Sequence, residues 1–101
     1  MPVDFRVSFT RATRSELIEA QSWYEGERPG LGRALRTEID ATVVRIAANP
    51  FQFPPVHGNV RRALVRRFPY MLFFVVEDDS VLVIACFHAS RDPRRWQERA
   101  R

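Results

Sequence analysis

Two apolar runs near the C-terminal end decide the fold: Met71-Leu-Phe-Phe-Val-Val76 and Val81-Leu-Val-Ile-Ala-Cys-Phe87. The polar residues Glu77-Asp78-Asp79-Ser80 separate them, so the pattern predicts a β-hairpin with strands at 70–76 and 81–87. Their nearly continuous apolar character is typical of strands that are covered on both faces or lie centrally in a sheet. Residues 60–68 also resemble a strand, and we therefore predict a three-stranded antiparallel meander.

The N-terminal segment predicts one further strand, because apolar and polar residues alternate there with a period of two. The apolar positions are Val3, Phe5, Val7 and Phe9. The period then changes to that of a helix, capped either by Thr10 or by a capping box formed by Thr13 and Glu16. Its apolar stripe is predicted at Ala12, Leu17, Ala20 and Tyr24.

A second helix follows after the turn Arg28-Pro29-Gly30, which makes the two segments a helical hairpin. The second stripe is predicted at Leu31, Leu35, Ile39, Val43 and Ile46, with support from Thr42 and Ala47. Asn49-Pro50 ends this helix. Because residues 50–59 contain three prolines and a glycine, they are predicted to form a loop.

The predicted order is therefore β-α-α-β-β-β, in the α+β class, with a helical hairpin packed on one face of a mostly antiparallel four-stranded sheet. A chain of 101 residues is expected to form a single domain over 1–101 with a basic C-terminal tail at 91–101. No apolar run approaches the roughly 20 residues that span a bilayer, and the start does not resemble a signal peptide. We expect a cytoplasmic location.

The charge distribution points to an anionic partner. The net charge is +4, and all of this excess lies in residues 51–101. Such a bias favours nucleic acid or an acidic polypeptide as partner. All sixteen basic residues are arginine, which is explained either by bidentate recognition of phosphate or carboxylate or by the codon usage of a GC-rich genome.

No cofactor or metal site is predicted. Cys86 is the only cysteine, which excludes an intramolecular disulfide, and the two histidines match no metal-ligand spacing. The sequence also has no phosphate-cradling glycine loop and no nucleophile elbow.

Two sets of residues could carry function. Arg61, Arg62, Arg66 and Arg67 are predicted on one strand, with Arg61 and Arg67 on one face and the other two on the opposite face. They could bind phosphates or an acidic strand, or they could protect a sheet edge against aggregation. The second set is His88 with Arg91, Arg94 and Arg95, where a general acid beside stabilising guanidinium groups could cleave a phosphodiester. A solvated histidine is the alternative.

The adjacent aromatic residues Trp23 and Tyr24 suggest a partner surface. Neighbouring helix positions differ by about 100° in direction, so both rings cannot point into the core. We predict that one of them lies at the margin of the hairpin, where a partner helix could cover it.

The ordered set of motifs resembles the RelE/ParE superfamily of type II toxin-antitoxin toxins, in particular its ParE-like plasmid-stabilisation branch. The motifs are Phe5-Arg6-Val7-Ser8-Phe9-Thr10 followed by Ala12, Trp23-Tyr24-Glu25, Pro29-Gly30-Leu31-Gly32, Asn49-Pro50, Val60-Arg61-Arg62, Arg67-Phe68-Pro69-Tyr70, and His88-Ala89-Ser90-Arg91-Asp92-Pro93 with Trp96 and Arg99. The resemblance implies a small toxin, held inactive in a hetero-oligomer by a cognate ParD-like antitoxin whose acidic C-terminal segment wraps around it.

The superfamily includes two mechanisms, and the resemblance leaves both open. RelE-like members cut messenger RNA on the ribosome, and here the catalytic residues would be Arg61, Arg66, His88 and Arg91. ParE members inhibit DNA gyrase without cleaving nucleic acid. We favour the gyrase interpretation, because proton transfer would rest on His88 alone and arginine stays protonated. A third possibility is a domain that has lost toxicity and only binds a partner.

The resemblance and the surface pattern together predict two binding regions. For the antitoxin they are Leu17, Trp23, Tyr24, Leu31 and Leu35 on the hairpin, together with Arg61, Arg62 and Arg66 on the sheet. For the target they are the tail residues Arg91, Arg94, Arg95, Trp96 and Arg99. The alternative for the tail is structural, with Trp96 sealing the core.

Overall fold

The computed structural model describes residues 4–100, in which two long helices cover one face of a sheet. The strands are β1 (Arg6–Phe9), β2 (Pro55–His57), β3 (Val60–Leu64), β4 (Tyr70–Glu77) and β5 (Ser80–His88). The helices are α1 (Arg11–Glu27), α2 (Leu31–Ala48) and the short α3 (Arg94–Gln97), with 3-10 turns at Pro50–Gln52 and Glu98–Ala100. The sheet order is β1-β5-β4-β3-β2. β1 runs parallel to β5 and the other pairs are antiparallel.

The predicted α+β class and the helical hairpin on a mostly antiparallel sheet are confirmed. The sheet has five strands rather than four, because Pro55–His57 in the predicted loop pairs with β3. A proline can occupy such a position since β2 is an edge strand.

The strand predicted at 60–68 is too long. β3 ends at Leu64, where a turn begins. Arg67 has a φ of 71°, a left-handed conformation that cannot continue a strand. The Val65 N–H donates to the Tyr70 carbonyl at 2.9 Å and closes this turn. The prediction that Arg66 and Arg67 lie on the strand is therefore wrong.

The start of α1 follows the first of the two predicted caps. The Thr13 N–H donates to Thr10 Oγ1 at 3.1 Å, so Thr10 is the N-cap and the capping box at Thr13 is wrong. Thr13 is fully buried and its hydroxyl donates to the Val83 carbonyl at 3.0 Å. Ala12, predicted in the apolar stripe, is exposed because Thr13 takes the inward position. Val3 lies outside the described residues.

The tight turn between the helices depends on Gly30 and Gly32. Gly30 has a φ of 90°, which favours glycine. A Cβ on Gly32 would lie 2.6 Å from the Gln21 carbonyl oxygen, so the helices can approach this closely only without a side chain there. The Glu25 carboxylate accepts from the N–H groups of both glycines, at 2.9 and 3.0 Å. It thereby satisfies donors at the N-terminus of α2.

Apolar side chains pack on both faces of the sheet, as the continuous runs predicted. The hairpin face includes Leu35, Ile39, Leu72 and Phe74. The opposite face contains Phe73 and Phe87 and is closed by Trp96 of α3. No helix between residues 4 and 100 is long and apolar enough to cross a membrane.

Candidate functional site

A groove runs along the outer side of the helical hairpin. It consists of two adjoining depressions, of about 500 and 670 Å³, that share Ile18 and Gln21. The depression of about 500 Å³ is the more apolar of the two. Its lining side chains are Phe9, Arg14, Leu17, Ile18, Gln21, Arg36, Ile39, Asp40 and Val43. Ile18 is 66% exposed, which leaves a large apolar side chain uncovered in this structure. Such a groove can accept the apolar face of a helix.

The predicted antitoxin-binding residues of the hairpin fall into three places. Leu17 lines the groove, whereas Leu31 is half-buried at the start of α2. Leu35 is 0% exposed, so the prediction that it lines a surface is wrong. Its place in the 3-4 periodicity of α2 could have assigned it to the core. The prediction did not include Ile18, an exposed apolar residue that lines the groove beside Leu17.

Trp23 and Tyr24 begin a strip of aromatic side chains at the end of the hairpin. The strip consists of Trp23, Tyr24, Phe68, Tyr70 and His88. Ring centroids lie 4.9 Å apart for Trp23 and Tyr24, 6.1 Å for Tyr24 and Tyr70, and 5.3 Å for Tyr70 and His88. Trp23 is 59% exposed while Tyr24 is half-buried. The prediction that one of the adjacent rings lies at the margin is therefore confirmed.

His88 is held at the end of this strip by local hydrogen bonds. Its Nδ1 accepts from the Ser90 backbone N–H at 3.1 Å and lies 2.8 Å from Ser90 Oγ. Burial, followed by the neighbouring Tyr24, raises the pKa of the Tyr70 phenol above its usual value.

Within the four residues implied for a RelE-like catalytic set, Arg61 lies far from His88. Arg61 is in register with Phe74 and His88 with Tyr70, which are about 13 Å apart along β4 at the usual rise of a strand. Arg91 lies over the Phe87 ring at 4.6 Å, on the sheet face opposite the Tyr70 ring. Arg66 is exposed in the turn after β3.

The arginines on β3 and in the turn after it differ in availability. Arg61 Nη1 donates to the Phe53 carbonyl at 2.6 Å, and its guanidinium lies over the Phe51 ring at 5.2 Å. Arg61 is thus used in fixing the segment before β2. Arg62 and Arg66 instead line a depression on the outer edge of β3.

The C-terminal tail folds back onto the molecule. Trp96 is 6% exposed and stacks on Phe73 with centroids 4.3 Å apart. Arg99 Nη2 donates to Glu16 Oε2 at 2.7 Å, and its Nη1 donates to the Ile84 carbonyl at 2.9 Å. The prediction that Trp96 and Arg99 are free to contact the target is wrong. Trp96 lies in the core, and Arg99 is bound by Glu16 of α1. The structural alternative for Trp96 is the one that agrees with the packing.

The other tail arginines, Arg91, Arg94 and Arg95, are exposed. Arg94 Nη2 donates to Asp92 Oδ2 at 2.7 Å, and these hydrogen bonds hold the pKa of the Asp92 carboxyl below its usual value.

Cys86 is buried behind α1, and burial, with a smaller effect from Glu16, raises the pKa of its thiol to about 12. No three His, Cys, Asp or Glu side chains within residues 4–100 are grouped closely enough to hold a metal.

Comparison with known proteins agrees with this geometry. A family model described as "ParE toxin of type II toxin-antitoxin system, parDE" matches residues 7–93. Two proteins named "Toxin ParE2", from Mycobacterium tuberculosis strains CDC 1551 / Oshkosh and ATCC 25618 / H37Rv, are each 26% identical over 89 residues, which is 87% of this chain and 85% of theirs. A solved structure titled "Chromosomal ParDE TA system from P. aeruginosa" aligns with a TM-score of 0.72 and 16% identity, over 83% of this chain and 95% of the other. At that identity the likeness shows the fold alone.

The helical hairpin on a mostly antiparallel sheet, together with the matched family, identifies a toxin of the RelE/ParE superfamily. Because the family match spans β1 to the start of α3, the chain belongs to the ParE toxin family. It is the toxin component of a type II toxin-antitoxin module, and its partner is an antitoxin.

Proposed function

We propose that the toxin acts as a non-enzymatic inhibitor of DNA gyrase. The observation that carries this proposal is the match to the ParE family along residues 7–93. Cleavage of RNA needs groups that accept and donate protons close to the scissile bond. Tyr70 beside His88 has a raised pKa, and arginine stays protonated. A binding inhibitor needs no group that accepts or donates protons. We propose that it acts in the cytoplasm, where gyrase is found.

Replacing His88 with alanine tests this proposal. Growth arrest on expression without antitoxin is expected to persist, since the histidine has no chemical role in a binding inhibitor. A nuclease that depends on His88 would lose about 10²- to 10⁴-fold in activity. Growth arrest and the melting temperature should be measured on the same variant. Loss of arrest with an unchanged melting temperature would argue for catalysis.

Ribosome-dependent cleavage of messenger RNA is the second candidate. It is favoured by the contact between the His88 and Tyr70 rings, which offers a place for a stacked base beside a titratable group. A domain that only binds its antitoxin is the third candidate, and it predicts no growth arrest at all. The exposed arginines Arg91, Arg94 and Arg95 are the part of the tail proposed to meet the target in either toxic mechanism.

The hairpin groove is the proposed docking site for an amphipathic helix of the antitoxin. Its floor contains Leu17 and Ile18 of α1 and Val43 of α2, while Arg14, Arg36 and Asp40 form charged margins. Apolar residues spaced along a helix face could fill this floor, and acidic residues beside them could meet the arginines. An acidic C-terminal segment of the antitoxin would supply both.

Replacing Ile18 with glutamate should weaken the antitoxin complex by about 2–4 kcal/mol, or about 30- to 1000-fold in Kd, if Ile18 is a central anchor. The fold should survive because the side chain is 66% exposed. Val44, which is 65% exposed on α2 but outside the groove lining, provides the matched control Val44→Glu. Calorimetric titration that finds equal affinities for both variants would remove the groove from the interface.

A further inference from the structure

The aromatic strip at the end of the hairpin has an uncovered ring surface. Trp23 is 59% exposed. The contacts along the strip are edge-to-face, with ring planes 90° apart for Trp23 and Tyr24 and 80° apart for Tyr24 and Phe68. An indole that meets its neighbour in this way and lies mostly outside the core has ring surface left for a planar ligand.

Exposed arginines lie beside the strip. Arg66 and Arg67 immediately precede Phe68 in the turn after β3, and the Arg67 guanidinium is 5.9 Å from the centre of the Phe68 ring. Arg28 follows one turn after Tyr24, whose carbonyl accepts from the Arg28 N–H at 3.1 Å. All three arginines are exposed. This end of the molecule therefore combines aromatic rings with positive charge.

Arg67 is held in an unfavourable backbone conformation. Its φ of 71° lies in the left-handed region, which is costly for a residue with a Cβ. Arg67 Nη1 is 3.6 Å from Glu38 Oε2, yet 65% of the Arg67 side chain remains exposed, and an exposed ion pair of this kind contributes little to stability. A strained residue whose contacts within the chain are weak points to a role for its side chain in binding.

We infer that the strip binds an unpaired DNA strand, with a base stacked on Trp23 and the adjoining phosphates beside Arg66 and Arg67. Proteins that bind single strands combine stacking rings with basic side chains that follow the backbone. Every nucleotide supplies both a planar ring and a negative charge, which matches the rings and guanidinium groups of this surface. The inference rests on the proposed action on gyrase, since a toxin that traps cleaved DNA–gyrase complexes acts beside cut DNA.

The fluorescence of Trp23 tests the stacking directly. In Trp96→Phe, Trp23 is the only tryptophan, and a single-stranded DNA oligonucleotide should quench its fluorescence because a base covers the indole. The duplex of the same sequence should leave the fluorescence nearly unchanged, since its bases stay paired. The anisotropy of a labelled oligonucleotide, measured with the parent chain, gives the affinity without relying on this variant.

A pair of alanine variants separates the strip from exposed aromatic surface in general. Trp23→Ala should weaken binding of the single strand by about 5- to 150-fold, the usual effect of losing one base–aromatic stack. Phe51 is 57% exposed and lies outside the strip, so Phe51→Ala is the matched control and should bind like the parent chain. Equal weakening by the two variants would overturn the inference.

The salt dependence of binding tests the two arginines. Arg66→Ala with Arg67→Gly removes both charges, and glycine suits the left-handed backbone at position 67. The slope of log affinity against log salt should become shallower by about 1.4, because each phosphate contact on a single strand contributes about 0.7. Arg11→Ala with Arg14→Ala removes the same charge at the other end of α1 and should keep the parent slope. Equal slopes for the two double variants would contradict the phosphate contacts.

Three further outcomes decide the inference. Trp23 fluorescence that the single strand does not quench, or that the duplex quenches equally, would overturn it. Tighter binding to RNA than to DNA of the same sequence would overturn DNA as the occupant. In a supercoiling assay, Trp23→Ala should inhibit gyrase more weakly than the parent toxin. Equal inhibition would remove the strip from the mechanism and leave the gyrase proposal intact, whereas a parent toxin that does not inhibit gyrase would contradict that proposal and leave the fluorescence result unchanged.

Discussion

Replacing Trp96 with alanine is expected to lower the free energy of unfolding by about 3–5 kcal/mol, the usual cost of removing a buried aromatic side chain. Trp96 is 6% exposed and its ring is stacked at 17° on Phe73. Its loss would uncover the apolar face of the sheet that the long helices do not reach. For a domain of this size the melting temperature should fall by roughly 15–30 °C.

The other tryptophan of the chain, Trp23, provides the control for this experiment. Trp23 is 59% exposed, so Trp23→Ala should leave the melting temperature nearly unchanged. Trp96→Phe should keep most of the stability, because an aromatic ring can still stack on Phe73. Similar melting temperatures for Trp96→Ala and the parent chain would contradict a structural role for the tail and restore Trp96 as a candidate target contact.

Replacing Glu16 with alanine should lower the free energy of unfolding by about 2–4 kcal/mol. β1 pairs with β5 only from Ser80 to Val83, which leaves the rest of β5 as an open edge. The Glu16 carboxylate accepts from the Cys86 N–H at 3.0 Å and from Arg99 at 2.7 Å. Without it, the Cys86 N–H and the Arg99 guanidinium both lose their acceptor.

A double-mutant cycle with Arg99→Met separates the ion pair from the bond to the backbone. Arg99→Met should cost less than Glu16→Ala, since Glu16 can still accept from Cys86. Glu19→Ala, at an exposed position of the same helix, should be nearly neutral in denaturant unfolding. If Glu16→Ala and Glu19→Ala cost the same, the carboxylate does not protect the β5 edge.

The elements that the sequence predicted well are those with a strong local pattern. The β4–β5 hairpin and the two helices up to Glu27 and Ala48 each follow from periodicity and turn residues, whereas the sequence left the cap of α1 open between Thr10 and Thr13. The short strand β2 could not be predicted, because its pairing with β3 is a tertiary contact between residues rich in proline. The end of β3 was missed for a similar reason, since arginine rarely adopts the left-handed conformation of Arg67.

The candidate site was predicted less completely than the fold. Charge and composition pointed to the arginines after residue 60, but they could not separate Arg61, which bonds to the Phe53 carbonyl, from Arg62 and Arg66, which line a surface depression. Arg45 lines the same depression as Arg62 and Arg66, and the sequence could not show this because α2 brings Arg45 to β3 only in the folded chain. The tail also carried an ambiguous signal: basic residues around a tryptophan suggested a binding segment, whereas Glu16 and Phe73, more than twenty residues away along the chain, hold it in the core.

Purified toxin and purified gyrase provide the sharpest test of inhibition by binding. The toxin is expected to block supercoiling of relaxed plasmid and to make cleaved DNA–gyrase complexes accumulate; His88→Ala should do the same, and antitoxin should reverse both effects. A ribosome-dependent messenger cleavage assay should be run beside it with the same preparations. If His88→Ala abolishes messenger cleavage while gyrase is unaffected at equal toxin concentration, the toxin is a nuclease and not a gyrase inhibitor.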